Sequence, residues 1–113
     1  MHEMAIAQGV LDITLDNAAQ SGAKKVISIK LLVGQMTGVE PEALRFCFSA
    51  LAEGTVAAEA ELVIVNVPLG VSCQECGKTC EVERYRFLCS VCGSAKVEII
   101  SGRELCVEYL EVD

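Results

Sequence analysis

The chain has 113 residues, of which 52% are apolar, and a formal net charge of −7. This length suits one small domain, or one domain with a small module, and the apolar content is sufficient for a core. The acidic balance, without any basic stripe, argues against nucleic acid or an anionic membrane as a partner and favours cations or basic protein surfaces.

Neither a membrane span nor an export signal is evident in the sequence. No apolar run approaches the roughly 18 residues that a membrane helix requires. The first residues include Glu3 and Asp12, whereas a signal peptide would begin with positive charge followed by an apolar run. We therefore expect a cytoplasmic protein whose seven cysteines are reduced or bound to metal.

The first half of the chain predicts two helices and two strands. Apolar residues recur at helical spacing over residues 3–20, and Ser21-Gly22 is typical of a helix end. A β-branched run predicts a strand over residues 26–33, and a second helix is expected from Pro41 to Gly54. Residues 61–67 alternate in the manner of a second strand.

The end of the chain is expected to complete the sheet. Two strands beneath two helices are marginally stable, so residues 104–112 are predicted to form a third strand. The predicted fold is α+β: a small mixed three-stranded sheet with two helices, plus an inserted zinc-ribbon-like β module. The predicted domains are residues 1–70, completed by residues 104–113, and residues 71–103, with Pro68, Leu69 and Gly70 as the linker.

Two matched cysteine pairs predict a structural zinc site. Each pair has two intervening residues and is followed by glycine, which can turn through positive φ and direct N–H groups at the sulfurs. The alternative is two unrelated redox or surface pairs, but neither pair opens a helical pattern as a thioredoxin motif does. A closed four-thiolate site leaves no coordination position for substrate. The predicted ligands are Cys73, Cys76, Cys89 and Cys92.

Three further cysteines lie outside this pattern. Cys47, on the apolar face of the second predicted helix, and Cys106, in the last predicted strand, are expected to be buried and inert. Cys80 lies close to Cys76 in sequence and is expected to be a free surface thiol, with competition for the metal or oxidative exchange as alternatives.

The beginning of the chain, Met1-His2-Glu3, contains its only histidine. The α-amine of Met1, the amide nitrogen of His2 and the imidazole can reach one ion together, and such nitrogen ligation favours Ni²⁺ or Cu²⁺. On these three residues alone, an idle terminus is the more common interpretation. Glu40, before the second helix, is a possible further carboxylate, although acids are common at helix N-termini.

With the helix that follows and the four-cysteine module, the sequence closely resembles the HypA/HybF family of hydrogenase maturation nickel chaperones. The resemblance covers essentially the whole chain. It includes Met1-His2-Glu3, the stretch 34–48 with Gly38-Val39-Glu40, Gly54 and both cysteine pairs.

The resemblance implies a nickel metallochaperone rather than an enzyme. It makes His2 the essential ligand of a transient Ni²⁺, supported by Glu3 and neighbouring backbone nitrogens, and it makes the cysteines ligands of a structural Zn²⁺. The implied partners are a HypB-type GTPase and the large subunit of a [NiFe]-hydrogenase, and some members also serve urease. The alternative function is a zinc-ribbon interaction or regulatory module without nickel transfer. An enzyme is the weakest alternative, because the sequence contains no acid–base–nucleophile set.

Overall fold

The structure is a computed structural model that describes residues 2–113. Its elements are α1 (Glu3–Ser21), β1 (Val26–Gly34), a short 3-10 helix (Gln35–Thr37), α2 (Pro41–Ala52), β2 (Glu61–Val67), β3 (Gly70–Cys73), β4 (Thr79–Glu81), β5 (Val97–Ser101) and β6 (Leu105–Val112). The chain divides into two compact units. The first contains the residues up to Leu32, Val39–Val65 and Cys106–Asp113, and the second contains Val33–Gly38 and Asn66–Leu105.

The helices pack with a mixed three-stranded sheet whose order is β2-β1-β6. Ser28 Oγ donates a hydrogen bond of 3.1 Å to Glu111, and Lys30 Nζ lies 3.0 Å from a carboxylate oxygen of Glu108. The residue numbers of the β6 partners fall as those of β1 rise, so β6 runs antiparallel to β1. α2 connects β1 to β2 as the helical crossover that parallel neighbours require. The predicted fold, including its third strand, is confirmed.

α1 follows the predicted apolar stripe closely. Its fully buried side chains include Ala7 and Thr14, and the Thr14 hydroxyl is satisfied by donating to the Val10 carbonyl at 2.8 Å. The helix ends where Gly22 adopts a left-handed conformation with φ 70° and its N–H bonds the last carbonyls. The sequence therefore predicted both the extent of this helix and its end.

α2 begins with a complete N-terminal cap. The Glu40 carboxylate accepts the Ala43 N–H at 2.8 Å, and Pro41 occupies the first turn, where its missing N–H costs nothing. Leu44 and Phe48 point into the core, where they are 0% and 3% exposed. The Glu40 cap therefore fixes the start of α2 at Pro41.

The second unit contains a smaller antiparallel sheet of order β4-β3-β5. Its core consists of Leu69, Val71 and Val82, with partly buried apolar side chains packed around them. The predicted linker is wrong here, because Leu69 is completely buried and Gly70 begins β3. A ribbon this small has few apolar side chains, so the residues that join it to the rest of the chain contribute to its core.

Among residues 2–113, no helix is both long and apolar enough to cross a membrane.

Candidate metal centres

The four predicted zinc ligands converge in the second unit. Their sulfur atoms all lie within 4.8 Å of one another, and the distances Cys73 Sγ to Cys92 Sγ and Cys76 Sγ to Cys89 Sγ are both 3.6 Å. A tetrahedral Zn²⁺ with bonds of about 2.3 Å requires sulfurs about 3.8 Å apart. The four residues fit zinc, and their convergence makes the alternative of two unrelated pairs wrong.

The first pair forms a tight turn around one sulfur. The N–H groups of Glu75 and Cys76 both donate to Cys73 Sγ at 3.4 Å. Gly77 then turns with φ 76°, and its N–H donates to the Cys73 carbonyl at 3.0 Å. Backbone donors thus stabilise the negative charge of a thiolate at Cys73 before any metal is considered.

The second pair repeats this arrangement. The N–H groups of Val91 and Cys92 donate to Cys89 Sγ at 3.4 and 3.5 Å. Gly93 also has φ 76° and donates to the Cys89 carbonyl at 2.8 Å. The predicted positive-φ glycines and sulfur-directed N–H groups are confirmed in both turns.

The sulfurs within a pair differ in acidity. The N–H groups of Cys92 and Val91 lower the pKa of Cys89 to about 6. The Ser94 N–H also favours the Cys92 thiolate, but the neighbouring Cys73 sulfur, burial and the Cys89 sulfur together raise the pKa of Cys92 to about 12. A divalent cation supplies the positive charge that allows all four sulfurs to bind as thiolates.

Such a zinc ion has no free coordination position, so its chemistry here is structural. It would join the turn after β3 to the turn before β5, and so connect distant parts of the ribbon. Metal binding of this kind contributes about 10–16 kcal/mol to folding. That energy matters because the apolar cluster of the ribbon, Leu69, Val71 and Val82, is small.

The remaining cysteines do not belong to the cluster. Cys106 is exposed, contrary to the prediction. Cys47 is only partly buried. Cys80 is also partly buried, rather than a surface thiol: it packs against the ribbon core, and its sulfur accepts the Ser90 N–H at 3.5 Å.

The predicted nickel ligands lie at the start of α1. Met1 is outside the described residues, and His2 is exposed. The His2 carbonyl accepts the Ile6 N–H at 2.9 Å as the first bond of the helix, and its imidazole does not cap the helix. The imidazole is therefore accessible to a metal ion and is not required by α1.

Glu3 differs from His2 in being 7% exposed. Its Oε2 accepts the backbone N–H of Glu40 at 3.0 Å, and this bond is the main reason why the pKa of Glu3 is lowered to about 2. The structure thus brings Glu3 and Glu40 together at the adjacent N-termini of α1 and α2. No local pattern in the sequence indicates this contact, because 37 positions separate the two residues.

A family model described as hydrogenase/urease nickel incorporation, metallochaperone, hypA matches residues 1–112. The chain belongs to the HypA family. It is 43% identical over 113 residues to a hydrogenase maturation factor HypA from Chlorobaculum tepidum, and each chain is covered completely. The HypA of Prosthecochloris aestuarii is 44% identical over 114 residues with the same coverage, and that of Aquifex aeolicus is 39% identical over 113 residues, covering 100% of this chain and 98% of the relative.

Solved HypA structures have the same fold. A solution structure of a HypA protein gives a TM-score of 0.74, covering 99% of this chain and 96% of the other. The solution structure of the Ni metallochaperone HypA from Helicobacter pylori gives 0.67, with coverage of 99% and 97%. Both are 22% identical to this chain, so they support the fold alone.

Membership of the HypA family confirms the function that the resemblance implied. The chain is a nickel metallochaperone of hydrogenase maturation, so it delivers an ion and does not catalyse a reaction. Nickel is its cargo, and the four-cysteine cluster is consistent with structural zinc.

Proposed function

We propose that this HypA protein binds Ni²⁺ through the Met1 amine, His2 and Glu3. It then delivers the ion, with a HypB-type GTPase, to the large subunit of a [NiFe]-hydrogenase. The observations that carry the nickel site are the exposed side chain of His2, immediately before α1, and the ionised carboxylate of Glu3 in the first turn of that helix. Because His2 is the only histidine, no second imidazole competes for the ion.

The position of the site suits a carrier. The N-terminus of α1 presents the positive end of the helix dipole, which weakens the binding of a cation, while Glu3 supplies a compensating negative charge. Exposure of His2 leaves the ion accessible to a partner. Such a site binds nickel and also releases it, whereas a buried cage would retain it.

The two metal ions are assigned to different predicted domains. We assign nickel to residues 1–70 with 104–113, and zinc to residues 71–103. Charge supports this assignment: residues 1–70 with 104–113 contain twelve acidic and four basic residues, whereas residues 71–103 contain four acidic and five basic residues. An acidic domain attracts Ni²⁺ and basic protein surfaces, and the nearly balanced domain around the cysteines has no such bias.

Nickel titration of untagged protein tests the site. Replacement of the imidazole in His2→Ala should weaken nickel binding about tenfold or more, because loss of a ligand costs at least as much as loss of its supporting contacts. Zinc content and thermal midpoint should not change, because His2 makes no side-chain cap. Equal affinity of wild type and variant would contradict the assignment of His2.

The contribution of the Met1 amine is tested separately. A short N-terminal extension moves the α-amine away while leaving His2 and Glu3 in the sequence. We expect weaker nickel binding by the extended protein. If its affinity matches that of the wild type, the amine is not a ligand, and the site reduces to side chains and amide nitrogens.

A further inference from the structure

Cys80, in the middle of β4, is a cysteine of the ribbon that does not belong to the four-sulfur cluster. Its residue pairs with Val71 of β3, and its side chain is partly buried against the ribbon core. Its sulfur accepts the backbone N–H of Ser90 at 3.5 Å. Ser90 directly follows the ligand Cys89 in the second cysteine turn. A side chain of β4 is therefore bonded to the backbone of a turn that provides two zinc ligands.

The two cysteine turns have equivalent internal hydrogen bonds. In each turn, the N–H of the first cysteine donates at 2.8 Å to the carbonyl five residues later, which is that of Lys78 in one turn and that of Ser94 in the other. Each turn also has the same glycine bond and the same pair of N–H groups directed at the first sulfur. Any difference between the turns must therefore come from the groups outside them.

The turns differ in the acceptor for the N–H that follows the first cysteine. In the first turn this is the Gln74 N–H, which donates to the backbone carbonyl of Lys96 at 2.8 Å. In the second turn the equivalent N–H is that of Ser90, and its acceptor is the Cys80 sulfur. Cys80 thus occupies the place that a backbone carbonyl has in the first turn. Any residue supplies a carbonyl, whereas the bond to Ser90 depends on the side chain at position 80.

The bond from Ser90 to Cys80 is comparable to the bonds that form the turn. Its length of 3.5 Å equals that of the bond from the Cys92 N–H to Cys89 Sγ. Outer groups that orient the ligands of a metal contribute to its retention, even though they do not touch the ion. Loss of the Cys80 acceptor would leave all four thiolates present but would remove an anchor of the peptide between Cys89 and Ser90.

We propose that Cys80 is a positioning residue of the zinc centre. Its thiol holds the Ser90 N–H and so keeps the second cysteine turn in the conformation that binds zinc. Cys80 acts through the backbone next to Cys89 and does not bind the ion. This role goes beyond the proposed delivery of nickel and is independent of the atoms that bind nickel.

Two replacements of the same shape in the full-length, zinc-loaded protein test this role. Cys80→Val has no acceptor, whereas Cys80→Thr keeps an acceptor oxygen. Transfer of zinc to an excess of a chromophoric chelator should be about two- to tenfold faster in Cys80→Val than in the wild type, the factor that corresponds to one hydrogen bond. Cys80→Thr should release zinc more slowly than Cys80→Val. The matched control is Cys106→Val, which replaces an exposed thiol outside the cluster and should release zinc at the wild-type rate.

Amide hydrogen exchange in the same zinc-loaded variants reports on the bond itself. The Ser90 N–H should exchange faster in Cys80→Val than in Cys80→Thr. The Gln74 N–H is the internal control, because its acceptor is the Lys96 carbonyl, and its exchange should be the same in both variants. A role of Cys80 in core packing alone predicts the opposite order of zinc release, because valine is the better apolar replacement and an unpaired hydroxyl is costly to bury.

Three results would overturn the proposal. The first is zinc release at equal rates from the wild type, Cys80→Val and Cys80→Thr. The second is slower release from Cys80→Val than from Cys80→Thr. The third is weaker thiolate-to-metal absorption in cobalt-substituted Cys80→Val than in the cobalt-substituted wild type, because that loss would make Cys80 a ligand.

Discussion

The Glu3 carboxylate, in the first turn of α1, accepts the backbone N–H of Glu40, the residue that caps α2. One side chain therefore connects the starts of both helices of the first unit. The carboxylate of Glu40 in turn satisfies the Ala43 N–H. Glu3 accordingly has a structural role in addition to its proposed role as a nickel ligand, and the two roles are separable by mutation.

Glu3→Ala and Glu3→Gln should separate these roles. Alanine removes the acceptor for the Glu40 N–H, so the thermal midpoint should fall. Glutamine retains an acceptor oxygen but loses the charge, so the midpoint should fall less. If Glu3 also binds nickel, both variants should lose affinity to a similar extent. Nickel affinity that follows the thermal midpoint across the two variants would indicate an effect through folding alone.

Removal of zinc should disrupt the ribbon selectively. Without the ion, the ribbon loses a contribution of about 10–16 kcal/mol, and its apolar core is too small to compensate. After treatment with a strong chelator, hydrogen exchange should accelerate in β3, β4 and β5, while α1 and α2 retain protection. One zinc per chain should be released.

Cys73→Ser tests the assignment of the zinc ligands, and Cys106→Ser is its matched control. The first removes a buried member of the cluster and should abolish zinc retention, whereas the second changes an exposed thiol outside it and should have no effect. Equal zinc content in the two variants would contradict the assignment of the cluster.

Two glycine substitutions should have opposite effects on stability. Gly9 lies within α1 with open space around it, so Gly9→Ala should raise the free energy of unfolding by about 0.5–1 kcal/mol. A Cβ at Gly34 would collide with the backbone carbonyl of Gly102, so Gly34→Ala should lower it by about 1–3 kcal/mol. Urea unfolding curves measure both changes. If Gly34→Ala leaves the free energy of unfolding unchanged, the close approach of Gly34 to the Gly102 backbone is absent.

The contact between Lys30 and Glu108 should make the free energy of unfolding depend on pH in the alkaline range. The hydrogen bond from Lys30 to Glu108 raises the pKa of the lysine above its ordinary value of 10.5. Since the folded-state pKa is the higher one, the stabilisation is complete below pH 10.5 and is lost as the pH rises through the folded pKa. A double-mutant cycle with Lys30→Met and Glu108→Gln should give a coupling that disappears at alkaline pH. Constant coupling across that range would refute the contribution of charge.

Local features were predictable from the sequence because neighbouring residues determine them. The apolar spacing of α1, the left-handed Gly22 at its end and the glycines after both cysteine pairs all correspond to the structure. Each depends on backbone geometry over a few residues. The same holds for the start of α2, where Glu40 and Pro41 supply the cap and the first turn.

Burial was less predictable because it depends on residues that are distant in sequence. Leu69 has the neighbours of a linker, Pro68 and Gly70, yet it is buried against Val71 and Val82. Cys106 has an apolar neighbour on each side, yet it is exposed. In both cases the outcome depends on where other strands pack.

The sequence by itself determined the metal chemistry and the main elements. Thiolate pairs at fixed spacing specify zinc, and short-range periodicity specifies helices and strands. Only the tertiary structure decided that Glu3 lies against Glu40 and that Phe46 remains exposed. The reason is physical: hydrogen bonds between helix starts and the exposure of a side chain are properties of packing, which no short stretch of chain encodes.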